Sequence, residues 1–194
     1  MSDAPPARIV RPRHAASLVL LRQARGGPQV LMGRRPVKSR FAPDVFVFPG
    51  GKVDAADFDQ PVASPLADDC MRRTAAPPRL AAALASAALR ETAEETGLVL
   101  PADHGALTAI ARAITPTNSP VRFHARFFLA DAEVAEGEPR ETEELTDLRY
   151  RPLDEALRLP LYDITEAVLR ARLENAGPFL MTYRAGRTLR RPLD

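Results

Sequence analysis

Within LRETAEETGL, residues 89–98, Glu91, Glu94 and Glu95 stand at i, i+3 and i+4, so a helix puts all three carboxylates on one face. The preceding RLAAALASAAL is rich in Ala and Leu, which favours that helix. It should run over 79–96, with Gly97 as its stop. Glu91 and Glu95 then repel each other beside the negative pole of the helix dipole. One reading is a solvated charged face. Such faces usually mix Lys with Glu, whereas the only cation nearby is Arg90. The other reading is a divalent-cation site, because a bound ion would relieve the repulsion. Oxygen-only ligands favour Mg²⁺ or Mn²⁺ over zinc.

Several elements must position this helix. HAASLVLLRQ (14–23) and QVLMGRR (29–35) read as a hairpin turning at RGGP. DVFVFPGG (44–51) reads as a strand stopped by Pro49–Gly50–Gly51. Residues 58–78 are polar and irregular, with helix-start signals but no periodic pattern. ALTAIARAI (106–114) and VRFHARFFLADA (121–132) read as strands. In the second, Val121, Phe123, Ala125 and Phe127 alternate with Arg122, His124 and Arg126. An acidic loop (133–145), a strand over TDLRYRPL, a helix over LDEALRL and an amphipathic helix over 163–177 follow, the last with Asp163 as N-cap. A C-terminal hairpin turns at Ala185–Gly186. Irregular alternation of strands and helices, hairpins included, implies an α/β chain with a mixed sheet and helices on its faces.

The stretch R-E-T-A-E-E-T-G-L resembles the core of the Nudix box, R-E-U-x-E-E-x-G-U with U aliphatic. Thr92 is the one departure. The box opens upstream with a Gly and, six residues on, an acid; Gly51 and Asp57 in FPGGKVDAAD stand at that spacing. Between Asp57 and Arg90 lie 32 residues where the simple box has seven. This is an insertion a surface loop tolerates if its ends still meet. The resemblance implies a Nudix fold: an α/β/α sandwich with a curved mixed sheet and a metal-binding helix. It implies metal ligands at Gly50 (carbonyl), Glu91, Glu94, Glu95 and Glu144, and a catalytic set of Glu94, Glu95, Arg90 and Glu144. Any of the three glutamates could act as base, and Arg90 braces the helix against the loop. The activity implied is metal-dependent hydrolysis of a nucleoside diphosphate linked to another moiety.

Upstream, LMGRRPVKSRFAPDVFVFPGG resembles the signature of coenzyme A diphosphatases, with Gly33, Pro36 and Asp44 departing from it. The long insertion and TPTNSPVRFHARFFLA are similar to the acyl-CoA-hydrolysing branch. This implies Arg35, Arg40, Phe48 and Arg122 as substrate-binding residues, the arginines suiting an extra phosphate. The substrate implied is CoA or acyl-CoA. ADP-ribose, NADH or another nucleotide is the alternative, and a catalytically silent nucleotide-binding module is a reading of a different class.

Composition agrees with a globular enzyme. The 194 residues carry a net charge of +2, with 45% hydrophobic and 27% charged residues. That suits one domain (15–194) after a flexible arm (1–14). Scattered basic residues argue against nucleic acid, and no apolar run reaches the ~20 residues of a membrane helix. A single cysteine, Cys70, rules out an internal disulfide and suits a cytoplasmic enzyme. A homodimer, joined through the arm or the C-terminal hairpin, is open.

Overall fold

Leu18, Val19 and Leu20 are consecutive and all fully buried, as in a strand covered on both faces. They belong to β1 (Arg13–Ala24), which starts two residues inside the expected arm. The computed structural model describes residues 10–39 and 42–193; Arg40 and the first nine residues lie outside them. Beside β1 stand β2 (Gly27–Arg34), β3 (Phe46–Val47), β4 (Gly50–Lys52), β5 (Thr108–Ile114), β6 (Phe123–Asp131), β7 (Thr146–Pro152), β8 (Phe179–Arg184) and β9 (Arg187–Pro192). They form one sheet of order β3-β2-β1-β6-β5-β8-β9, with β4 pairing β1 and β7 pairing β2. The β1–β6 and β5–β8 pairs are parallel and the others antiparallel.

One face of the sheet is covered by α1 (Asp68–Thr74) and α2 (Pro78–Thr96), whose Leu84 and alanines pack on Leu18, Leu20 and Phe128. The other face carries α3 (Leu153–Ala156) and α4 (Asp163–Leu173), packed on Val19, Met32 and Phe127. The result is the expected mixed α/β fold with a single open sheet. Among the described residues no helix is long and apolar enough to cross a membrane.

Four local expectations need correction. The stretch 44–51 is two strands: β3 pairs β2, the chain steps across at Phe48–Pro49, and β4 pairs β1. Pro49 therefore redirects the chain without ending its pairing. The segment 58–78 contains α1. Asp68 and Asp69 open it, Arg72 and Arg73 close it in accord with the helix dipole, and buried Cys70 and Leu66 tie it to the core. The helix expected over 163–177 stops at Leu173; Tyr162 is its N-cap, and Asp163 is the first helical residue. The strand expected over 121–132 is β6 (Phe123–Asp131), so Arg122 precedes it; Arg122 and Arg126 are 7% and 1% exposed.

Candidate active site

The glycine loop owes its position to main-chain pairing. Ala15, Ala16 and Ser17 of β1 stand opposite Lys52, Gly51 and Gly50, and the Leu18 N–H donates to the Pro49 carbonyl at 2.9 Å. From the other side the Gly50 N–H donates to Oε2 of Glu95 at 2.8 Å. A Cβ on Gly50 would collide with the Ala16 carbonyl and the Ser17 hydroxyl; one on Gly51 would enter the Glu91 carboxylate. The loop lies so close to β1 at Gly50 and to the helix at Gly51 that only glycine serves at both positions.

Arg90 joins the two pieces. Its Nε and Nη2 donate to the two oxygens of Asp57 at 2.9 and 3.0 Å. Its Nη1 reaches Glu91 at 2.9 Å and Glu94 at 3.0 Å, and Nη2 also donates to the Lys52 carbonyl at 3.0 Å. The Asp57 side chain is wholly buried and also accepts the Asp54 N–H at 2.7 Å. A bidentate pair between residues 33 apart in sequence closes the intervening segment at its root. The hydrogen bonds from Asp57 are the largest influence on Arg90 and hold its proton more firmly than usual.

Burial raises the proton affinity of two of the carboxylates, and their acidic neighbours add to it. Glu95, 4% exposed, is pushed up to about 8, first by burial and then by Glu91 and Glu144, with the Gly50 N–H and Arg35 opposing. Burial also raises Glu91; Arg90 opposes, while Glu94 and Glu144 add to the rise. All four glutamates line one cleft of about 430 Å³. Among the described residues no three acidic, histidine or cysteine side chains stand in a geometry that closes on an ion. Glu91 and Glu94 each give an oxygen to Arg90, and Glu95 gives one to Gly50. Half-buried oxygen donors that raise each other's proton affinity nonetheless suit a hard divalent cation.

The rest of the cleft has a different character. Beyond the glutamates, Arg35, Lys52, Asp54 and Arg90 the lining is uncharged: Phe48, Phe123, Phe127, Tyr162, Tyr183 and Thr165, with small residues between. Phe48 meets Phe127 edge to face, centroids 6.3 Å apart. The Tyr183 hydroxyl donates to Asp163 at the start of α4, and burial, more than Asp163, raises its proton affinity. Of the expected substrate contacts, Arg35 and Phe48 line the cleft. Arg122 does not: its Nε and Nη1 donate to the carbonyls of Thr115 and Val10, at 3.2 and 2.7 Å. Glu144 lines the cleft, and its neighbour Glu143 is not among the lining residues. Tyr162, Thr165 and Tyr183 escaped sequence reasoning. They come from the end of a loop, a helix and a distant strand, and share no local pattern.

An open mixed sheet with a carboxylate-bearing helix against a glycine loop defines a class of phosphoric-anhydride hydrolases. Residues 12–172 match the NUDIX domain family. A NUDIX hydrolase from Alicyclobacillus acidocaldarius is 30% identical, over 84% of this chain and 92% of that one, with a TM-score of 0.73. The chain belongs to the NUDIX family, and it is an enzyme of the pyrophosphohydrolase kind. Two further solved structures share the fold. The NUDIX domain of Shewanella oneidensis NrtR complexed with ADP ribose is 15% identical, covering 89% and 94% of the two chains, at a TM-score of 0.60. A C. elegans Ap4A hydrolase is 17% identical, covering 84% and 96%, at 0.51. Comparison with curated proteins gave no match.

Proposed function

We propose that this enzyme cleaves the diphosphate of coenzyme A or an acyl-CoA, giving 3′,5′-ADP and (acyl-)phosphopantetheine, with Mg²⁺ or Mn²⁺ bound. The observation that carries the reading is the polarity of the cleft. Carboxylates, Arg35, Lys52 and Arg90 make up the charged part of the lining, and uncharged aromatic and small residues make up the rest. A diphosphate at the charged part leaves a neutral group for this uncharged chamber. A free polyphosphate tail would find no cation there.

In this reading Glu91, Glu94, Glu95, Glu144 and the Gly50 carbonyl hold the metal. When bound, it offsets the anionic charge of the diphosphate and acidifies a water. Arg90 fixes the carboxylates relative to the glycine loop. One of Glu94, Glu95 and Glu144 takes the proton from the attacking water. Arg35 receives a phosphate, and Phe48 shapes the chamber. The segment 58–78 is read as an insertion within the Nudix box, and Arg40 as a second phosphate contact.

A substrate panel tests the proposal. CoA, acyl-CoA, ADP-ribose, NADH, dinucleoside polyphosphates and oxidised dNTPs are assayed with Mg²⁺ and with Mn²⁺. CoA or acyl-CoA should show the highest kcat/KM. Background turnover of CoA beside efficient cleavage of ADP-ribose or NADH would sink the substrate assignment and keep the hydrolase. Nucleotide binding with no turnover of any member would instead support a silent binding module.

A further inference from the structure

On the sheet face turned away from the cleft, β1, β5 and β6 bring four basic side chains together. Arg112 and Arg126 stand directly opposite each other on β5 and β6. His14 and His124 are paired across β1 and β6, ring centroids 6.0 Å apart. Arg126 donates from Nε to the Thr74 carbonyl at 3.1 Å and from Nη1 to the His124 carbonyl at 2.8 Å, and Nη1 lies 3.0 Å from His14 Nδ1. Arg112 reaches only the His124 ring, its Nε and Nη2 at 3.4 and 3.3 Å from Nε2.

Arg126 has a structural task, since it ties β6 to the last turn of α1. Arg112 has none of comparable worth. Like charges directly opposite across two strands destabilise the pair, and buried charge without counter-charge is costly. Among the described residues no carboxylate acts on either guanidinium; burial lowers the proton affinity of both, and Arg112 lowers that of Arg126 further. The open ends of the two groups share a feature. Nη1 of Arg112 and Nη2 of Arg126 have no hydrogen-bond partner among the described residues, yet neither is a sealed, unsatisfied atom. Arg126, 1% exposed as a residue, and Arg112 opposite it thus each keep one guanidinium nitrogen without a partner among the described residues.

We infer that Arg112 and Arg126, backed by His14 and His124, form a second anion site, built for a small oxyanion of the phosphate class. Forked N–H donors match phosphate oxygens, and the anion supplies the missing counter-charge. The site lies on the opposite side of the sheet from the cleft, so it does not depend on the identity of the substrate.

The test uses the full chain in EDTA, titrated with inorganic phosphate, with AMP, or with chloride at matched ionic strength. The imidazole resonances of His14 and His124 are followed, with buried His104 as internal control, together with the thermal midpoint. Phosphate should shift the His14 and His124 signals saturably and move their titration midpoints upward, because an added anion favours the imidazolium. It should also raise Tm by a few degrees. Arg112→Gln should lose these responses and Arg112→Lys keep part of them. If the glutamine variant does not fold, the imidazole titration of the unaltered chain decides alone. AMP acting as phosphate does would assign the phosphate of a nucleotide; phosphate alone acting would assign the free ion. A phosphate response equal to that of chloride, or undiminished in a folded Arg112→Gln, overturns the inference.

Discussion

Replacing Glu95 with Gln should stabilise the metal-free protein while removing its activity, and the pH dependence of that gain is the informative part. Glu95 goes from an ordinary value of 4.5 to about 8 on folding. Below pH 4.5 it is protonated in both states and contributes no penalty. Above that the unfolded chain ionises while the folded chain keeps its proton, so stability falls as pH rises and levels off above about 8. At 1.36 kcal/mol per unit, the penalty is roughly 3 kcal/mol at pH 7 and roughly 5 kcal/mol above pH 8. The Gln amide oxygen can still accept the Gly50 N–H, so the substitution removes the ionisation and keeps the bond. Urea denaturation in EDTA from pH 4.5 to 9 measures the difference between the two proteins. It should be close to zero at the acid end, grow through neutrality and then level off. Adding Mg²⁺ or Mn²⁺ should recover stability for the native protein and little for the variant. A difference independent of pH, or a variant less stable at pH 8, would refute the reasoning.

Three other substitutions bear on the site and the core. Gly51→Ala puts a methyl inside the Glu91 carboxylate, so turnover should fall by about 100-fold with far-UV dichroism unchanged. Thr92→Val should leave stability within about 1 kcal/mol by denaturation and activity intact. The Thr92 hydroxyl only doubles a bond to the Ala88 carbonyl at 2.7 Å that the helix already satisfies. His124 is held down to about 3 by burial first and then by Arg126, Arg112 and His14. It stays neutral in the fold while the unfolded chain takes up a proton, so stability should decline as pH falls from 6.5 towards 3. His124→Gln should flatten that decline in pH-dependent thermal melts.

Elements with strong local signals were legible from sequence. The Ala/Leu composition marked α2, and Gly97, at φ 75°, ends it as expected. The C-terminal turn was readable because Ala185 and Gly186 occupy it with φ of 50° and 74°. Three departures, Thr92 from the Nudix box and Gly33 and Asp44 from the coenzyme A diphosphatase signature, have local causes. Thr92 is fully buried but spends its hydroxyl within the helix. Gly33 leaves room for Leu145, whose Cβ lies 2.8 Å from where a side chain would begin. Asp44 takes φ 61° in place of a glycine and pairs with Arg34 at 2.7 Å. What could not be read is long-range. Alternation over 121–132 marked a strand, but periodicity does not reveal that Arg122 and Arg126 are buried. The aromatic chamber joins Phe48, Phe123 and Tyr183, which meet only through the parallel pairing of β5 with β8. No short stretch of sequence encodes that meeting.

The ladder between β1 and β4 ties the glycine loop to a central strand with a fully buried run, so the loop cannot come free without opening the sheet. Amide exchange at Gly50–Lys52 should then follow global unfolding, whereas the chamber wall on the β8–β9 hairpin stands near an edge and can open at lower cost. The cleft therefore has one pole as rigid as the whole molecule and one that can yield. In evolutionary terms, the glycine-loop pole is locked to the survival of the fold, while the pole on the β8–β9 hairpin is free to drift.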